Sequence, residues 1–312
     1  MNAIEAEKNE RKRMAADFGP KERKVRSHMA YRSNSGGVTV NIDKGIEILK
    51  RLYRLGLEER DILLPVAANE MGALANMLVT GLRCVIPTCL DYSYRQKGGK
   101  KTYTFEEIGD GLSGNSKTLI SKAPILLGAV SEAGGTVAGF EMLVSDVEAK
   151  DEIYQLMSGL NERQIRLRAE GTRRKIERDV QERGLGLMTV GLMESFVEIE
   201  DEEFGRTQMT QVGGTTKTSI GASRSTLYQT MFERSKKRGL IEKDGSRYRR
   251  FHNFMIDRVE ADLRRYIALG AACRKRGVAV VDATAPEVAK YYNVAADKYP
   301  VTPYIRIVDN YE

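Results

Sequence analysis

The stretches CVIPTCLDY (84–92) and TVAGFEMLVSDVE (136–148) decide the fold. Each is short, apolar through most of its length, and ends in small or acidic residues, the pattern of strands covered on both faces. Between them, LISKAPILLGAVSEAG (119–134) spaces its apolar residues for a helix despite Pro124, and Gly134-Gly135 closes it. Strand, helix and strand in that order form a βαβ unit, whose two strands lie parallel. A right-handed crossover puts the carboxyl ends of both strands on one edge. The class read from these segments is α/β, a parallel sheet flanked by helices.

Outward from this unit the chain divides unevenly. Residues 1–37 carry nine Lys/Arg against five Asp/Glu and end in SNSGG, which reads as a basic flexible arm, with helix over Glu5–Ala16 at most. Residues 38–82 read as a helical extension: a helix capped by Asp43 and stopped by Gly56, then a second from Asn69 to Leu82. Residues 83–312 form the α/β domain, with a basic helical insert over 151–276. Within that insert, NERQIRLRAEGTRRKIERDVQER (161–183) places Ile165, Ala169, Thr172, Ile176 and Val180 on one stripe. Arg163, Arg174 and Arg178 sit opposite, with Arg166 and Arg173 on a flank. Six acids follow over 194–203, then a Gly/Ser/Thr-rich loop over 205–225. Helices over 226–239 and 251–276, the strand GVAVVD (277–282), a helix over 285–296 and a last short strand, TPYIRIV, complete the chain.

Composition narrows the function classes. The chain has 312 residues, 50 Lys+Arg and 43 Asp+Glu, a net charge of +7. No apolar run approaches the ~20 residues of a membrane helix, so no membrane partner is expected. The N-terminus lacks an apolar signal core, and three cysteines without a framework point to a reducing, cytoplasmic setting. Two distant histidines, His28 and His252, make a His-rich metal site improbable.

In an open parallel sheet, ligands bind outside the carboxyl ends of the strands. Those ends bring Cys89 and Asp91, Asp146 and Glu148, and Asp282. An acid there either caps the following helix or binds a ribose or an amine. The segment GDGLSGNSK (109–117) offers Gly111 for close backbone approach and Ser113, Asn115 and Ser116 as donors, without the ending of a Walker loop. Basic patches are the second signal. Besides helix 161–183, residues 233–251 hold eight Lys/Arg against three acids, including Lys236, Lys237, Arg249 and Arg250, with Tyr248 and Phe251 interleaved. Clustered cations with aromatic neighbours are the footprint of a phosphate-backbone ligand.

The order of these parts resembles a known family. A Gly-Leu-Ser-Gly-Asn-Ser loop (111–116), a helix, a strand ending in Asp146 and an Arg-rich helix (163–178) follow one another. Further on come a Tyr-containing helical segment (227–232), a long helix and YYNVAADKYP (291–300). This order is similar to that of the tRNA-dependent cyclodipeptide synthases, Rossmann-like relatives of the class I aminoacyl-tRNA synthetase core. The resemblance implies a Rossmann-like fold and an aminoacyltransferase making peptide bonds from charged tRNA, with no cofactor. It implies Ser113 or Ser116 as acyl acceptor, Tyr292 and Asp146 around the substrate amine, and Arg163, Arg166, Arg173, Arg174 and Arg178 on the tRNA. The sequence departs from the family where a Glu would follow the late Tyr by four residues: Ala296 stands there. Two other readings stay open. One is a nucleotide-dependent transferase or ligase with phosphate on the Gly-rich loop; the other is a non-catalytic RNA- or DNA-binding protein.

Overall fold

The computed structural model describes residues 3–36, 41–88, 93–97, 100–106, 114–150, 155, 160–215, 261, 263–283, 289–294 and 301–308. Its centre is a six-stranded sheet built from β1 (Ile62–Leu63), β2 (Leu82–Thr88), β5 (Val137–Val144), β6 (Met188–Leu192), β7 (Ala279–Asp282) and β8 (Tyr304–Ile307). The spatial order is β1-β8-β7-β2-β5-β6. Every pairing is parallel except β1 with β8. The two stretches that open the reading are β2 and β5, in register from Cys84 opposite Phe140 to Thr88 opposite Val144. The helix between them is α5 (Gly114–Glu132), followed by Gly134 with φ 87°, a backbone state that a side chain resists.

Alternation along the strands assigns the two faces. Cys84, Ile86, Phe140, Met142, Val144, Ala279, Val281, Ile305 and Ile307 enter one core. Val85, Leu143 and Val280 enter a second, on the other side, with residues of the helix α9 (263–276). Both faces are covered, which is why β2 and β5 read as continuous apolar runs.

Several elements differ from the sequence reading. The first 36 residues are not a frayed arm: they form α1 (Ala3–Ala16) and α2 (Gly19–Gly36), with Met14, Phe18, Val25 and Met29 buried in the first core. Arg11 is buried too, its Nε–H donating to the Leu64 carbonyl at 2.9 Å. Four apolar anchors hold two helices whose other positions are mostly charged. The next helix, α3 (Ile42–Arg54), is capped by Asn41, whose side chain accepts the Lys44 N–H at 2.9 Å, and not by Asp43. Asp43 lies one residue inside the helix and pairs with Arg26 of α2 at 2.6 Å. The segment 38–82 is no separate extension, because its β1 completes the sheet edge and its second helix, α4 (Ala68–Thr80), packs in the same core. The residues 93–106 fold into a hairpin, β3 (Ser93–Lys97) with β4 (Lys100–Glu106). The segment 151–276 is not wholly helical, since it supplies strand β6. The Gly/Ser/Thr-rich stretch from 205 is helical as far as Thr215, within α8 (Ile199–Thr215). The part of 285–296 that is described is a 3-10 turn, Lys290–Asn293.

One half-buried acid should make stability pH-dependent. Glu70, in the first turn of α4, has its carboxyl pushed from the ordinary 4.5 up to about 7 by burial, against the Tyr304 backbone N–H and Asn293, which favour the ionised form. The folded chain therefore holds this proton more tightly than the unfolded one. Stability should fall as pH rises from about 4.5 to about 7, by on the order of 3 kcal/mol, and level off above. In Glu70→Gln that limb should vanish, a difference that urea midpoints near pH 5 and pH 8 would reveal.

Candidate functional site

The strand order fixes where a ligand edge lies. From β2 the chain winds to β5 and β6 on one side, then returns to β7 and β8 on the other. The switch point is therefore between β2 and β7, and ligands in open α/β sheets bind outside the carboxyl ends at such a point. Among the described residues β7 pairs with β2 at Cys84 and Val85, while β2 pairs with β5 as far as Thr88. Pro87, which has no N–H, lies beyond the pairing with β7, where a central strand tolerates it.

Asp282 closes β7 at this switch point. Its Oδ1 accepts the Ala283 N–H at 2.7 Å, and its Oδ2 accepts the Tyr292 hydroxyl at 2.9 Å. Tyr292 is fully buried, edge-on to Tyr266 at 5.1 Å and stacked on Tyr304 at 5.8 Å. The Tyr304 hydroxyl donates to the Asp282 carbonyl at 3.3 Å. Burial and the Asp282 carboxylate both push the Tyr292 hydroxyl well above its usual pKa, so it stays a protonated donor. A carboxylate beside a cluster of three tyrosines suits a small cation such as an ammonium.

The backbone of Tyr292 is held closely. The Arg274 Nη1–H donates to its carbonyl at 2.6 Å. Gly270 of α9 lies so near that an added Cβ would come within 2.6 Å of the Tyr292 carbonyl carbon and closer still to its oxygen.

Asp146 makes the helix-capping contact that is one of its two expected parts. Its Oδ1 accepts the Glu194 N–H at 2.8 Å, capping α7 (Met193–Phe196) after β6, and burial raises its carboxyl. No hydrogen bond joins it to Tyr292 among the described residues. The acid that Tyr292 meets is Asp282, ten residues before it, where a search four residues after it finds only Ala296. Asp146→Ala should lose about 1 kcal/mol by denaturant titration, whereas Asp146→Asn keeps an acceptor for the Glu194 N–H and should lose less. The remaining edge residues are placed only in part. Asn115 and Ser116 fall in the first turn of α5 and not in a loop, and Glu148 falls in the 3-10 turn Asp146–Lys150. Gly111, Ser113, Cys89 and Asp91 lie outside the described residues, as do Lys236, Lys237, Arg249 and Arg250. The buried thiols of Cys84 and Cys273 are pushed up by burial, which leaves neither as a nucleophile.

The Arg-rich helix is α6 (Glu162–Glu182), opened by a capping box of Asn161 and Gln164. Ile165, Ala169, Ile176 and Val180 are buried as the spacing requires. The arginines divide by position. On the flank, Arg166 pairs with Glu194 and with Glu162 at 3.0 Å, and Arg173 pairs with Glu170 at 2.8 Å and Glu177 at 3.1 Å. Glu194, also met by Lys150 at 2.8 Å, has its carboxyl pulled down to about 2. Arg166, through Glu194, ties the helix to the segment after β6, whereas the pairs of Arg173 lie within the helix itself. Opposite the buried stripe lie Arg163, Leu167, Gly171, Arg174 and Arg178, all within about 80° of the helix wheel at 100° per residue. Arg174 is 69% exposed, although it touches Glu170 at 2.9 Å. Arg163 and Arg178 are exposed and meet no partner among the described residues. Leu167 is 64% exposed, and a Cβ on Gly171 would meet nothing within 4 Å. Gly171→Ala should therefore stabilise the chain by about 0.5–1 kcal/mol, read as a higher urea midpoint; an unchanged or lower midpoint would contradict the open position.

No family model matches the chain, and no curated protein matches it in sequence. Solved structures do. In fold the chain is similar to the cyclodipeptide synthases. A cyclodipeptide synthetase of Mycobacterium tuberculosis, described as related to type I tRNA synthetases, aligns over 80% of this chain and 94% of its own, at 13% identity and a TM-score of 0.42. A cyclo(L-leucyl-L-phenylalanyl) synthase aligns over 75% of this chain and 93% of its own, at 11% identity and a TM-score of 0.40. The PvcA protein of Pseudomonas aeruginosa aligns over 85% of this chain and 76% of its own, at 11% identity and a TM-score of 0.41. Among the described residues no helix is long and apolar enough to cross a membrane.

Proposed function

We propose that the chain is an aminoacyl-tRNA-dependent acyltransferase that forms peptide bonds in the manner of a cyclodipeptide synthase. The observation that carries this reading is the Tyr292–Asp282 pair at the switch point, with the hydroxyl donating to the carboxylate at 2.9 Å. A dry carboxylate beside aromatic rings takes the ammonium group of an aminoacyl ester, and exclusion of water strengthens that attraction. Asp282, rather than Asp146, is the acid of this pair. The hydroxyl of Ser113 or Ser116 attacks the ester carbonyl, the acyl–oxygen bond to the tRNA breaks, and the serine proton leaves with the tRNA hydroxyl. The ester is already activated, so the transfer needs orientation more than driving force. The exposed arginines of α6 supply the grip on the nucleic acid, Arg163, Arg174 and Arg178 contacting phosphates while Arg166, through Glu194, holds the helix in place.

Incubation of the full chain with tRNA carrying a labelled amino acid tests this. Loss of the label from tRNA, a labelled dipeptide product by mass spectrometry, and loss of both in Asp282→Asn are expected. Tight, salt-sensitive tRNA binding with the ester left intact would instead support a non-catalytic RNA-binding protein, a reading favoured by Asp146 serving as a helix cap. No binding and no turnover would remove both.

A further inference from the structure

Behind Tyr292 lies a set of polar groups with no part in the reaction proposed above. The Asn293 amide is docked on Thr302 as a strand neighbour would be: Nδ2–H donates to the Thr302 carbonyl at 2.9 Å, and Oδ1 accepts the Thr302 N–H at 2.7 Å. The Thr302 hydroxyl donates to the Gly270 carbonyl at 3.3 Å, which ties this strand approach to α9. The second Nδ2–H of Asn293 reaches Glu70 Oε1 at 3.3 Å, across 223 residues of sequence. Glu70 also accepts the backbone N–H of Tyr304, the residue whose ring stacks on Tyr292.

This carboxyl is an unusual choice for a structural brace. It accepts two N–H donors, and no cation pairs with it among the described residues, so burial leaves it near about 7. A glutamine would offer an acceptor oxygen without the cost of a buried charge. The carboxyl stands one hydrogen bond from the residue that follows Tyr292. Its reach is also specific. Through Asn293 it fixes the residue after Tyr292, and through the Tyr304 N–H it fixes the strand carrying the ring beneath. Arg274 and Gly270 hold the Tyr292 carbonyl from the other side. The phenol is thus set by contacts from α4, α9 and β8 while its hydroxyl addresses Asp282. A cation arriving between the two would pull on the hydroxyl or the carboxylate, and a turn anchored only at its backbone would shift with it.

We propose that Glu70, acting through Asn293, is a positioning residue for Tyr292, fixing the turn from which its hydroxyl reaches Asp282. The inference rests on reading Asp282 and Tyr292 as the ammonium-binding pair. The test uses the full chain with ring-labelled tyrosine, the Tyr292 resonance being identified by its loss in Tyr292→Phe. Glu70→Asp keeps the charge but withdraws the carboxyl by one methylene; Asn293→Ala removes the link. Both should shift or broaden the Tyr292 resonance and raise KM for aminoacyl-tRNA about tenfold with kcat nearly kept, while Glu70→Gln restores the resonance and KM. A Tyr292 resonance unmoved in Glu70→Asp and Asn293→Ala would overturn the inference, as would a Glu70→Gln variant that fails to restore it. A wild-type chain that leaves aminoacyl-tRNA intact would overturn the transferase reading alone, because the resonance still reports whether Glu70 sets the turn.

Discussion

In Gly270→Ala the urea midpoint is expected to fall sharply, the opposite of the result expected for Gly171→Ala. Both glycines sit inside helices, so the intrinsic gain in helix propensity is the same, about 0.5–1 kcal/mol. At Gly171 that gain stands alone, because the new methyl group faces open space. At Gly270 the methyl group would overlap the backbone of Tyr292 itself, and a main chain bonded to Arg274 cannot turn aside as a flexible side chain would. Overpacking against side chains costs about 1–3 kcal/mol, and a clash with fixed backbone belongs above that range. A loss of at least about 3 kcal/mol is expected, with separation of α9 from the Lys290–Asn293 turn. Equal midpoints for wild type and Gly270→Ala would mean that the turn is not held against α9 at all.

The triple variant Arg163→Gln, Arg174→Gln, Arg178→Gln should keep its circular dichroism and lose much of its tRNA binding. None of the three side chains enters the core, and among the described residues only Arg174 has an ion-pair partner, Glu170. Each phosphate contact removed lowers the salt slope by about 1, so the slope should become shallower by about 3 and low-salt affinity should drop on the order of a hundredfold. The pair Arg166→Gln, Arg173→Gln should do the reverse, costing stability through Glu194 and Glu170 while leaving the salt slope near wild type. Equal slopes for wild type and the triple variant would reduce the outward stripe to a solvated surface.

How far the chain could be read from its residues depended on what each segment packs against. The strands β2 and β5 announce themselves because both faces are covered, so nearly every position is apolar. The stripe of α6 was legible for a related reason: twenty-one residues of unbroken helix let the 3.6 period repeat often enough to separate Ile165, Ala169, Ile176 and Val180 from the arginines. Strand β6, MTVGL, was not legible. It is five residues long, contains a glycine, and draws its identity from pairing with β5. The helices α1 and α2 were mistaken for an arm because four buried side chains are too few to show a period among so many charges. The pair at the candidate site was hidden for a topological reason. Asp282 and Tyr292 stand ten residues apart, and only the turn back over the end of β7 brings the hydroxyl to the carboxylate. The link from Glu70 to Asn293 spans most of the chain, and no local spacing encodes it.

The pairing of β1 with β8 has a consequence for how the protein is made. Ile62 lies opposite Ile307, and Glu7 of α1 pairs with Arg306 at 2.6 Å. On the ribosome, α1, α2 and β1 emerge long before β8, the strand that pairs with β1. Throughout elongation the nascent chain presents an unsatisfied strand edge that chaperones, or another nascent chain, can engage. Closure awaits the synthesis of β8, a contact of long sequence separation and hence a slow one. Loss of β8 would therefore be felt at β1 and α1, far away in sequence.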